Sequence, residues 1–335
     1  MSAGTGNTAT GLIFLGAPSV PEQVELAVRA EERGFESVWV AETRITRDAL
    51  VPMAAIAAAT RRIRIGSGIL NVYTRHPVTL AISFVGLNEL APGRIVMGLG
   101  PGSPLVLEPQ GIPFDLPLTR LREYSEVIPR LLRGEVVTYS GKTVTLRGAQ
   151  LDDVLTNSSA SVPPGDLALW LGVTGPKAIE LAGELADGLL MNTCLPTDYV
   201  RDRQRLIASG AERTARTASD VELAVVLCVS PHAESGEGKD RARRFVALYL
   251  SLFPNLARET GIDPELVERI RTAFDSGGID ASARFVHDGI VDHLTAAGTV
   301  GECLERIAEY RDAGALPVLF PVPGAMDLAI DFLAS

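Results

Sequence analysis

The chain has 335 residues, of which 46% are hydrophobic and 21% charged, as expected of a globular protein with a substantial core. Its 31 basic and 41 acidic residues give a formal net charge of −10, which argues against a nucleic-acid partner. The first ten residues contain no basic residue and no apolar core, and no later apolar run approaches a membrane span, so we expect a cytoplasmic protein without a membrane partner.

Taken in chain order, short apolar runs alternate with segments of helical spacing. Most runs are apolar on both faces, which is typical of parallel strands covered on both sides. The runs lie at 11–15, 37–41, 63–69, 94–100, 168–173, 188–192, 221–228 and 316–320. A doubly wound open sheet and a closed (β/α)₈ barrel both satisfy this alternation.

The count of eight runs and the chain length favour the barrel, an α/β fold of the (β/α)₈ TIM-barrel type with loop insertions. No G-x-G-x-x-G pattern follows the first run, as a dinucleotide-binding open sheet would require. No linker or break in composition divides the chain. We therefore predict a single barrel domain over residues 1–335.

Helix signals and insertions complete the outline. Pro176 stands at the first position of a helix predicted after the fifth run, and Thr299 with Glu302 matches a capping box near the C-terminus. Three segments exceed what a minimal barrel needs. They are a Pro/Gly-rich loop at 98–117, a hairpin at 135–146 that turns at Ser140–Gly141, and a helical stretch at 241–286.

The loop after the fifth run is a candidate anion site, because barrel active sites lie at the C-terminal ends of the strands. Thr174 and Gly175 precede a helix whose first N–H groups lack internal partners, and the helix dipole adds positive potential there. Lys177 in the first turn opposes the dipole by roughly 0.3–1 kcal/mol unless a bound anion lies between them. In the alternative interpretation, Thr174 only caps the helix and Lys177 points into water.

The loop after the third run is rich in hydrogen-bonding side chains, at Asn71, Tyr73, Arg75 and His76. That density favours a binding loop over a connecting turn, although a solvated loop with Arg75 on the surface is the alternative. The preceding Gly66 and Gly68 indicate a bulge or a close approach by a ligand, or they relieve crowding in the barrel.

Glu42 is the carboxylate expected at the end of the second strand, where a barrel places a general acid or base. A structural ion pair with Arg44 or Arg47 explains it equally well. The fourth loop, at 98–103, is also rich in glycine, which is a weaker indication that its backbone lies close to a flat group or in a crowded place. Three cysteines and four histidines are too scattered for a disulfide framework or a metal site, so we expect no metal.

Taken together, these segments resemble the luciferase-like monooxygenase superfamily of flavin and deazaflavin barrels. The nearer relatives are oxidoreductases of the methylenetetrahydromethanopterin-reductase type, which use coenzyme F420. The resemblance covers nearly the whole chain and is carried by residues 30–42, 71–77, 87–100, 177–188 and 297–299.

The resemblance implies a flavin-like ring across the barrel mouth, against the third strand, with its phosphate at the loop from Thr174 to Lys177. It also implies a non-prolyl cis peptide between Gly68 and Ile69. The resulting set of cofactor-binding candidates is Gly68, Ile69, Asn71, Tyr73, Arg75, Gly100, Gly102, Gly172, Thr174, Gly175, Pro176 and Lys177.

Two departures from the relatives bear on the chemistry. Thr43 stands where several of them have a histidine, and Ser103 stands where sugar-phosphate enzymes often have a glutamate. Both changes count against sugar-phosphate oxidation and luciferase-type oxygen chemistry. Glu42 remains as the proton carrier, and with Thr43 it forms the predicted catalytic pair.

The predicted enzyme transfers a hydride between coenzyme F420 and a small organic substrate that carries a C=C, C=N or alcohol group. An FMN-dependent monooxygenase is the first alternative, and a cofactor-free barrel that serves as a binding subunit is the second. A metal-dependent hydrolase is disfavoured by the shortage of histidines near strand ends. Because the family usually buries helices 2 and 3 between subunits, and residues 50–59 are almost entirely apolar, we expect a homodimer or tetramer, although barrel packing also explains that run.

Overall fold

The apolar runs form a closed ring of parallel strands in a computed structural model of the chain, which describes residues 9–16, 18–42, 45–153, 158–159, 163 and 167–334. The eight strands of the ring are β1 Gly11–Phe14, β2 Ser37–Val40, β3 Arg64–Ser67, β4 Ile95–Gly100, β5 Leu167–Gly172, β6 Gly188–Met191, β7 Glu222–Pro231 and β8 Leu316–Pro321.

Each strand pairs with the next one in parallel, and the register Gly11↔Val318 between β1 and β8 closes the ring. The pairing of β4 with β5, at Val96↔Ala168, joins the two halves of the chain across the hairpin insertion. Two short strands extend the sheet, Leu70–Asn71 beside β4 and Ala296–Gly298 beside β7. This topology confirms the predicted (β/α)₈ barrel.

Helices connect and surround the strands. Their bounds are α1 Val20–Glu32, α2 Leu50–Ala59, α3 Pro77–Leu90, α4 Pro104–Leu107, α5 Pro117–Leu132, α6 Pro176–Leu185, α7 Thr197–Ala211, α8 Ser235–Leu252, α9 Pro254–Ala257, α10 Pro264–Ala283, α11 Asp288–Leu294, α12 Val300–Asp312 and α13 Met326–Phe332. Short 3₁₀ turns lie at Glu108–Gln110, Glu212–Thr214, Ala218–Asp220 and Arg258–Thr260. None of the helices in the described part of the chain is long and apolar enough to cross a bilayer.

The insertions lie where the sequence predicts them. The hairpin pairs Val137–Ser140 with Thr145–Ala149 in antiparallel fashion, so its turn begins at Gly141 as expected. The predicted helical stretch is the group α8, α9 and α10. A further two-stranded ladder pairs Asp152–Asp153 with Ser158–Ser159.

Local signals at helix ends are also confirmed. The capping box at Thr299 and Glu302 opens α12, with the Glu302 N–H donating to the Thr299 hydroxyl at 3.3 Å. Pro176 occupies the first turn of α6. Both features depend only on residues within one helical turn, which is why the sequence alone predicts them.

Two tryptophans fill the interior of the barrel. The Trp39 and Trp170 rings lie 5.0 Å apart, and both side chains are fully buried. A Cβ at Gly66 would lie 2.4 Å from the Trp39 ring, and one at Gly188 would lie 2.1 Å from the Trp170 ring. Of the alternatives left open for Gly66, the structure therefore supports relief of crowding.

An arginine lies at the N-terminal end of the same interior. The Arg64 guanidinium pairs with Glu36 at 3.1 Å and with Glu222 at 2.9 Å, and it lies 5.6 Å from the centre of the Trp170 ring. This end of the barrel is thus filled by packed side chains and an ion-pair network. The opposite end carries the candidate site.

Candidate active site

The mouth of the barrel, defined as the C-terminal ends of β1 to β8, has two unlike sides. We call the ends of β2, β3, β4 and β5, with Glu42, Gly68, Gly98, Gly100 and Gly172, and the loops that follow these strands the glycine half. We call the ends of β6, β7 and β8 together with the facing part of α8 the aromatic half, after Phe320, Phe245, Tyr249 and Phe253.

A cis peptide joins Gly68 to Ile69 in the glycine half, as the resemblance implied. The half-buried side chain of Ile69 extends over the ends of β4 and β5. A Cβ at Gly172 would lie 2.3 Å from the Ile69 Cγ2, and one at Gly100 would lie 2.8 Å from its Cδ1. The glycines therefore make room for Ile69, and their contact with a cofactor stays a prediction.

Strands β3 and β4 approach closely just below this point. The Ser67 hydroxyl donates to the Gly98 carbonyl at 2.9 Å and accepts from its N–H at 2.8 Å. A Cβ on Gly98 would lie 1.8 Å from the Ser67 carbonyl oxygen, so no other residue fits there without moving the backbone. The close contact with β4 is therefore made by Ser67, the residue directly before the cis peptide Gly68–Ile69.

The Asn71 side chain stabilises the loop after β3 through its hydrogen bonds. Its side-chain oxygen accepts from the N–H groups of Tyr73 at 3.0 Å and Thr74 at 2.9 Å, and its amide nitrogen donates to Glu42 at 3.1 Å. The side chain is buried, and Gly102, with φ of +68°, lies so close that its Cβ would stand 3.0 Å from the Asn71 Cβ. Asn71 and Gly102 thus hold the loops together, and their contact with a cofactor stays a prediction.

The carboxylate of Glu42 pairs with Arg75. The two guanidinium nitrogens of Arg75 donate to the two Glu42 oxygens at 2.7 and 3.0 Å, and Arg75 also pairs with Asp48. The hydrogen bond that Arg75 donates to Glu42 is the main reason that the pKa of Arg75 rises above its usual value, against an opposing effect of burial. The bidentate geometry fixes the position of Glu42.

This pairing answers part of the question that the sequence left open. Glu42 does form an ion pair, but its partner is Arg75, because Arg47 instead donates to the Gly16 carbonyl. Arg44 and the predicted catalytic residue Thr43 lie outside the described residues. Arg75, predicted as a cofactor contact, is already bound to two carboxylates in this structure.

The Pro/Gly-rich loop folds onto Tyr73. The Tyr73 hydroxyl donates to the Asp115 carbonyl at 2.6 Å, and its ring lies 5.6 Å from that of Phe114 and 4.6 Å from the Arg120 guanidinium. Burial, the largest cause, raises the pKa of Tyr73 above its usual value. Sequence analysis missed Phe114 and Arg120, since nothing local indicates that they meet Tyr73.

The loop after β5 presents an open helix end. Gly175 is the N-cap of α6 and supplies no side-chain acceptor, while the exposed Lys177 stands in the first turn. The alternative in which Thr174 caps this helix is wrong, because the cap is one residue later and the Thr174 carbonyl accepts from the Tyr199 hydroxyl at 2.7 Å. The exposed Lys177 agrees with the other part of that alternative. Gly172, at the end of β5, lies against the Ile69 side chain, and the contact of Thr174, Gly175, Pro176 and Lys177 with a cofactor stays a prediction.

The aromatic half is continuous through its ring contacts. Phe245 lies 4.9 Å from Phe320 and 5.6 Å from Tyr249, and Tyr249 lies 4.6 Å from Phe253. Sequence analysis did not select these residues. Phe320, at the end of the eighth apolar run, could have been selected from the sequence as a residue at the barrel mouth. The position of α8 beside it is set only by the tertiary fold.

The cysteines do not contribute a nucleophile or a metal ligand set. Cys194, Cys228 and Cys303 are free and buried, and burial raises the pKa of Cys194 and of Cys303 to about 12. Thiols with such pKa values stay protonated near neutral pH. Within the described residues, no group of three or more histidine, cysteine, aspartate or glutamate side chains could hold a metal ion.

Comparison with known proteins agrees with this architecture over nearly the full length. A 5,10-methylenetetrahydromethanopterin reductase of Methanolobus tindarius is 32% identical over 316 residues, which cover 93% of this chain and 94% of that protein. The structure of the coenzyme F420 dependent tetrahydromethanopterin reductase from Methanopyrus kandleri matches with a TM-score of 0.87 and 26% identity, covering 98% of this chain and 97% of that one.

An F420-dependent secondary alcohol dehydrogenase, solved with an F420–acetone adduct, matches with a TM-score of 0.78 and 22% identity over 97% of each chain, which shows a shared fold. The family model described as luciferase-like monooxygenase matches residues 2–316. With barrel, cis peptide and full-length similarity in agreement, the chain belongs to the luciferase-like monooxygenase family.

Proposed function

We propose that this protein is an oxidoreductase that transfers a hydride between coenzyme F420 and a small organic substrate with a C=C, C=N or alcohol group. The observation that carries the proposal is the open N-terminus of α6, with Lys177, in the loop that follows Gly172, which itself lies against the Ile69 side chain of the cis peptide. The name of the relative from Methanolobus tindarius supports a reductase, and that of the Methanopyrus kandleri enzyme supports dependence on coenzyme F420.

The residues present fit such a coenzyme. The α6 N-terminus and the exposed Lys177 offer N–H groups and a positive charge to a phosphate. Ile69, half-buried and uncharged, offers an apolar support for one face of a flat ring. When bound, coenzyme F420 supplies or accepts two electrons as a hydride.

Glu42 is the proposed proton-handling group, and Thr43, the next residue in sequence, is its proposed catalytic partner. Reduction of the substrate consumes one hydride and one proton, and oxidation releases the same pair, so the site needs a group that exchanges a proton. The contacts from Arg75 and Asn71 hold both oxygens of Glu42 in a defined direction.

Titration of the purified protein with F420 and with FMN, followed by fluorescence, tests the proposal. We expect F420 to bind, and we expect Lys177→Ala to weaken that binding because the phosphate loses a cation. Lys142→Ala is the matched control, since Lys142 is also exposed but lies on the hairpin. It should bind F420 as the unmodified protein does.

The same titration identifies the alternatives. Binding of FMN at micromolar concentration without binding of F420 would replace the proposal by a flavin-dependent monooxygenase. Binding of neither would support a cofactor-free binding subunit.

We further propose that the chain acts as a single domain and assembles as a homodimer. Val51 on α2 and Ile82 on α3 are 62% and 58% exposed, so apolar surface remains on the two helices that relatives bury between subunits. Sedimentation at micromolar concentration should therefore show a dimer, and a monomer alone would contradict the proposal. A cytoplasmic location and the absence of a nucleic-acid partner stay predictions.

A further inference from the structure

A groove on helix α10, in the insertion after β7, is separate from the strand ends that form the barrel mouth. The buried Val267 and Ile270 mark the inner face of α10, which packs against α8. Glu265, Arg269 and Ala273, spaced by four residues, lie on another face and line the groove. No residue that lines this groove lies in a strand of the ring or at the end of one.

A kink at Gly278 gives the groove its second wall. Gly278 has φ of +71° and ψ of −162°, a backbone conformation that is essentially restricted to glycine. Beyond the kink, Ala281, Arg284 and Phe285 lie beside the preceding helix, and the Phe285 ring centre is 4.9 Å from the Arg269 guanidinium. The open groove between the two segments has a volume of about 690 Å³, within the range of about 300–1,000 Å³ that is typical of small-molecule sites.

Two arginines of the groove have no ionic partner. Within the described residues, the exposed guanidinium groups of Arg269 and Arg284 form no ion pair and no hydrogen bond, although Arg269 lies over the Phe285 ring. By contrast, Arg244 on the neighbouring α8 pairs with Asp280. Because a guanidinium group matches the planar geometry of a carboxylate, two unpaired ones in one groove indicate a site for an anion.

The carboxylates of the groove limit the charge of that anion. Glu268 pairs with Arg271 at 3.0 Å, whereas the Glu265 side chain has no ionic partner among the described residues. The unpaired groups are therefore two cations and one carboxylate, which favours a ligand with a single negative charge. Since the whole chain has a net charge of −10, its overall field does not attract anions, so the attraction must come from the groove itself.

The remaining surface of the groove favours an organic ligand. Ala273, Ala281 and Phe285 offer apolar contact, which an inorganic anion would leave unused and an aromatic or aliphatic body would bury. A second copy of the chain is a poorer occupant, because two concave surfaces cannot fill each other.

We propose that the groove on α10 binds a small organic anion, whose carboxylate is held by Arg269 and Arg284 and whose apolar body packs on Ala273, Ala281 and Phe285. The proposal goes beyond the oxidoreductase activity and does not depend on it, because none of these residues belongs to the proposed cofactor site.

Three probes test the chemistry of the site: naphthylacetate, naphthylethanol, which keeps the ring without the charge, and acetate, which keeps the charge without the ring. Each is titrated calorimetrically into the full-length protein. We expect naphthylacetate to bind about three- to tenfold more tightly than naphthylethanol, and acetate to bind most weakly. Equal or tighter binding of naphthylethanol would overturn the inference.

Variants of the charged residues test where the carboxylate binds. The double variant Arg269→Gln with Arg284→Gln should bring the affinity ratio of naphthylacetate to naphthylethanol close to one, and Glu265→Gln should raise it by up to about threefold because a repelling charge is removed. A merely structural disturbance would weaken both ring probes alike. An unchanged ratio in the double variant would therefore contradict the proposal.

Two controls locate the probe on the molecule. Arg147→Gln removes another exposed arginine without an ionic partner among the described residues, on the hairpin, and should leave the ratio unchanged. Lys177→Ala should also leave it unchanged. Loss of naphthylacetate binding in Lys177→Ala would place the probe at the loop after β5 and overturn the inference, whereas F420 titration of the double variant reports separately on the proposed function.

Packing and assembly complete the test. Phe285→Leu should weaken naphthylacetate and naphthylethanol together, because both rings lose the same aromatic contact. Sedimentation should give the same oligomeric state for the double variant as for the unmodified protein. A change in that state would assign the groove to a contact between copies of the chain and overturn the proposal.

Discussion

The two halves of the barrel mouth are built on opposite principles. In the glycine half, backbone segments approach so closely that a Cβ at Gly98 would lie 1.8 Å from a carbonyl oxygen, and the charged side chains above it are paired. In the aromatic half, Phe320, Phe245 and Phe253 are half-buried, and their contacts are non-directional ring contacts.

The difference shows that one barrel mouth can combine a part with fixed geometry and a part that tolerates substitution. Hydrogen bonds and backbone contacts have narrow geometries, so the glycine half tolerates little change. Apolar surfaces tolerate swaps that conserve volume, so the aromatic half can change its residues at modest cost.

The largest expected effect is a loss of the folded barrel in Gly98→Ala. The added Cβ meets the Ser67 carbonyl, which is backbone and cannot rotate away, so we expect destabilisation of about 3 kcal/mol or more. Gly86→Ala, on the exposed side of α3 with open space around it, is the control and should stabilise by about 0.5–1 kcal/mol. Urea unfolding measures both variants. A Gly98→Ala protein as stable as the unmodified one would show that the backbone of the glycine half is not rigid at this point.

Next in size is Glu42→Gln, which leaves Arg75 with Asp48 as its remaining carboxylate. Because hydrogen bonds to charged groups contribute about 1.5–3 kcal/mol, we expect a loss of that order in the free energy of unfolding and a loss of turnover with the cofactor. Asp48→Asn should cost less, since Asp48 is 38% exposed whereas Glu42 is 11% exposed. If the two variants were equally stable, the directional pairing of Glu42 would not distinguish this half.

Stability at acid pH should depend on Glu123, which ties the hairpin to α5, the helix behind the glycine half. Burial opposes its ionisation, but donors at Thr143, Lys142 and Val144 outweigh burial and lower the pKa of the Glu123 carboxyl below 4.5. Because the folded pKa is lower than the unfolded one, the stabilisation is complete above pH 4.5 and is lost as pH falls through the folded pKa.

Glu123→Gln removes this dependence, and at neutral pH it should cost about 1–3 kcal/mol. Urea unfolding as a function of pH is the measurement. The difference between the two proteins should shrink below pH 4.5, and a difference that stays constant there would contradict the role given to Glu123.

The smallest effect is expected in the aromatic half. Phe320→Leu keeps an apolar side chain at a half-buried site, so we expect less than about 1.5 kcal/mol of destabilisation. The same change at Phe84, which is fully buried on α3, is the control and should cost more because it leaves a cavity. Thermal unfolding compares the two, and a larger loss at Phe320 would mean that the aromatic half is as rigid as the glycine half.

Much of the fold and part of the site were predictable from local patterns. The apolar runs predicted the eight strands, and the residues around Thr299 and Pro176 predicted helix starts, because strand burial and helix capping depend on neighbours in sequence. The cis bond at Gly68–Ile69 was predicted by resemblance rather than by any local rule.

The sequence by itself therefore determined the barrel, the position of the loop and helix start after the fifth strand, and the candidate residues at the barrel mouth. The tertiary structure alone decided that Glu42 pairs with Arg75, 33 positions away, that Gly100 and Gly172 make room for Ile69, and that α8 places Phe245 against Phe320. These contacts join different strands and loops of a closed ring. Their distances depend on the curvature and register of the whole sheet, which no short stretch of sequence encodes.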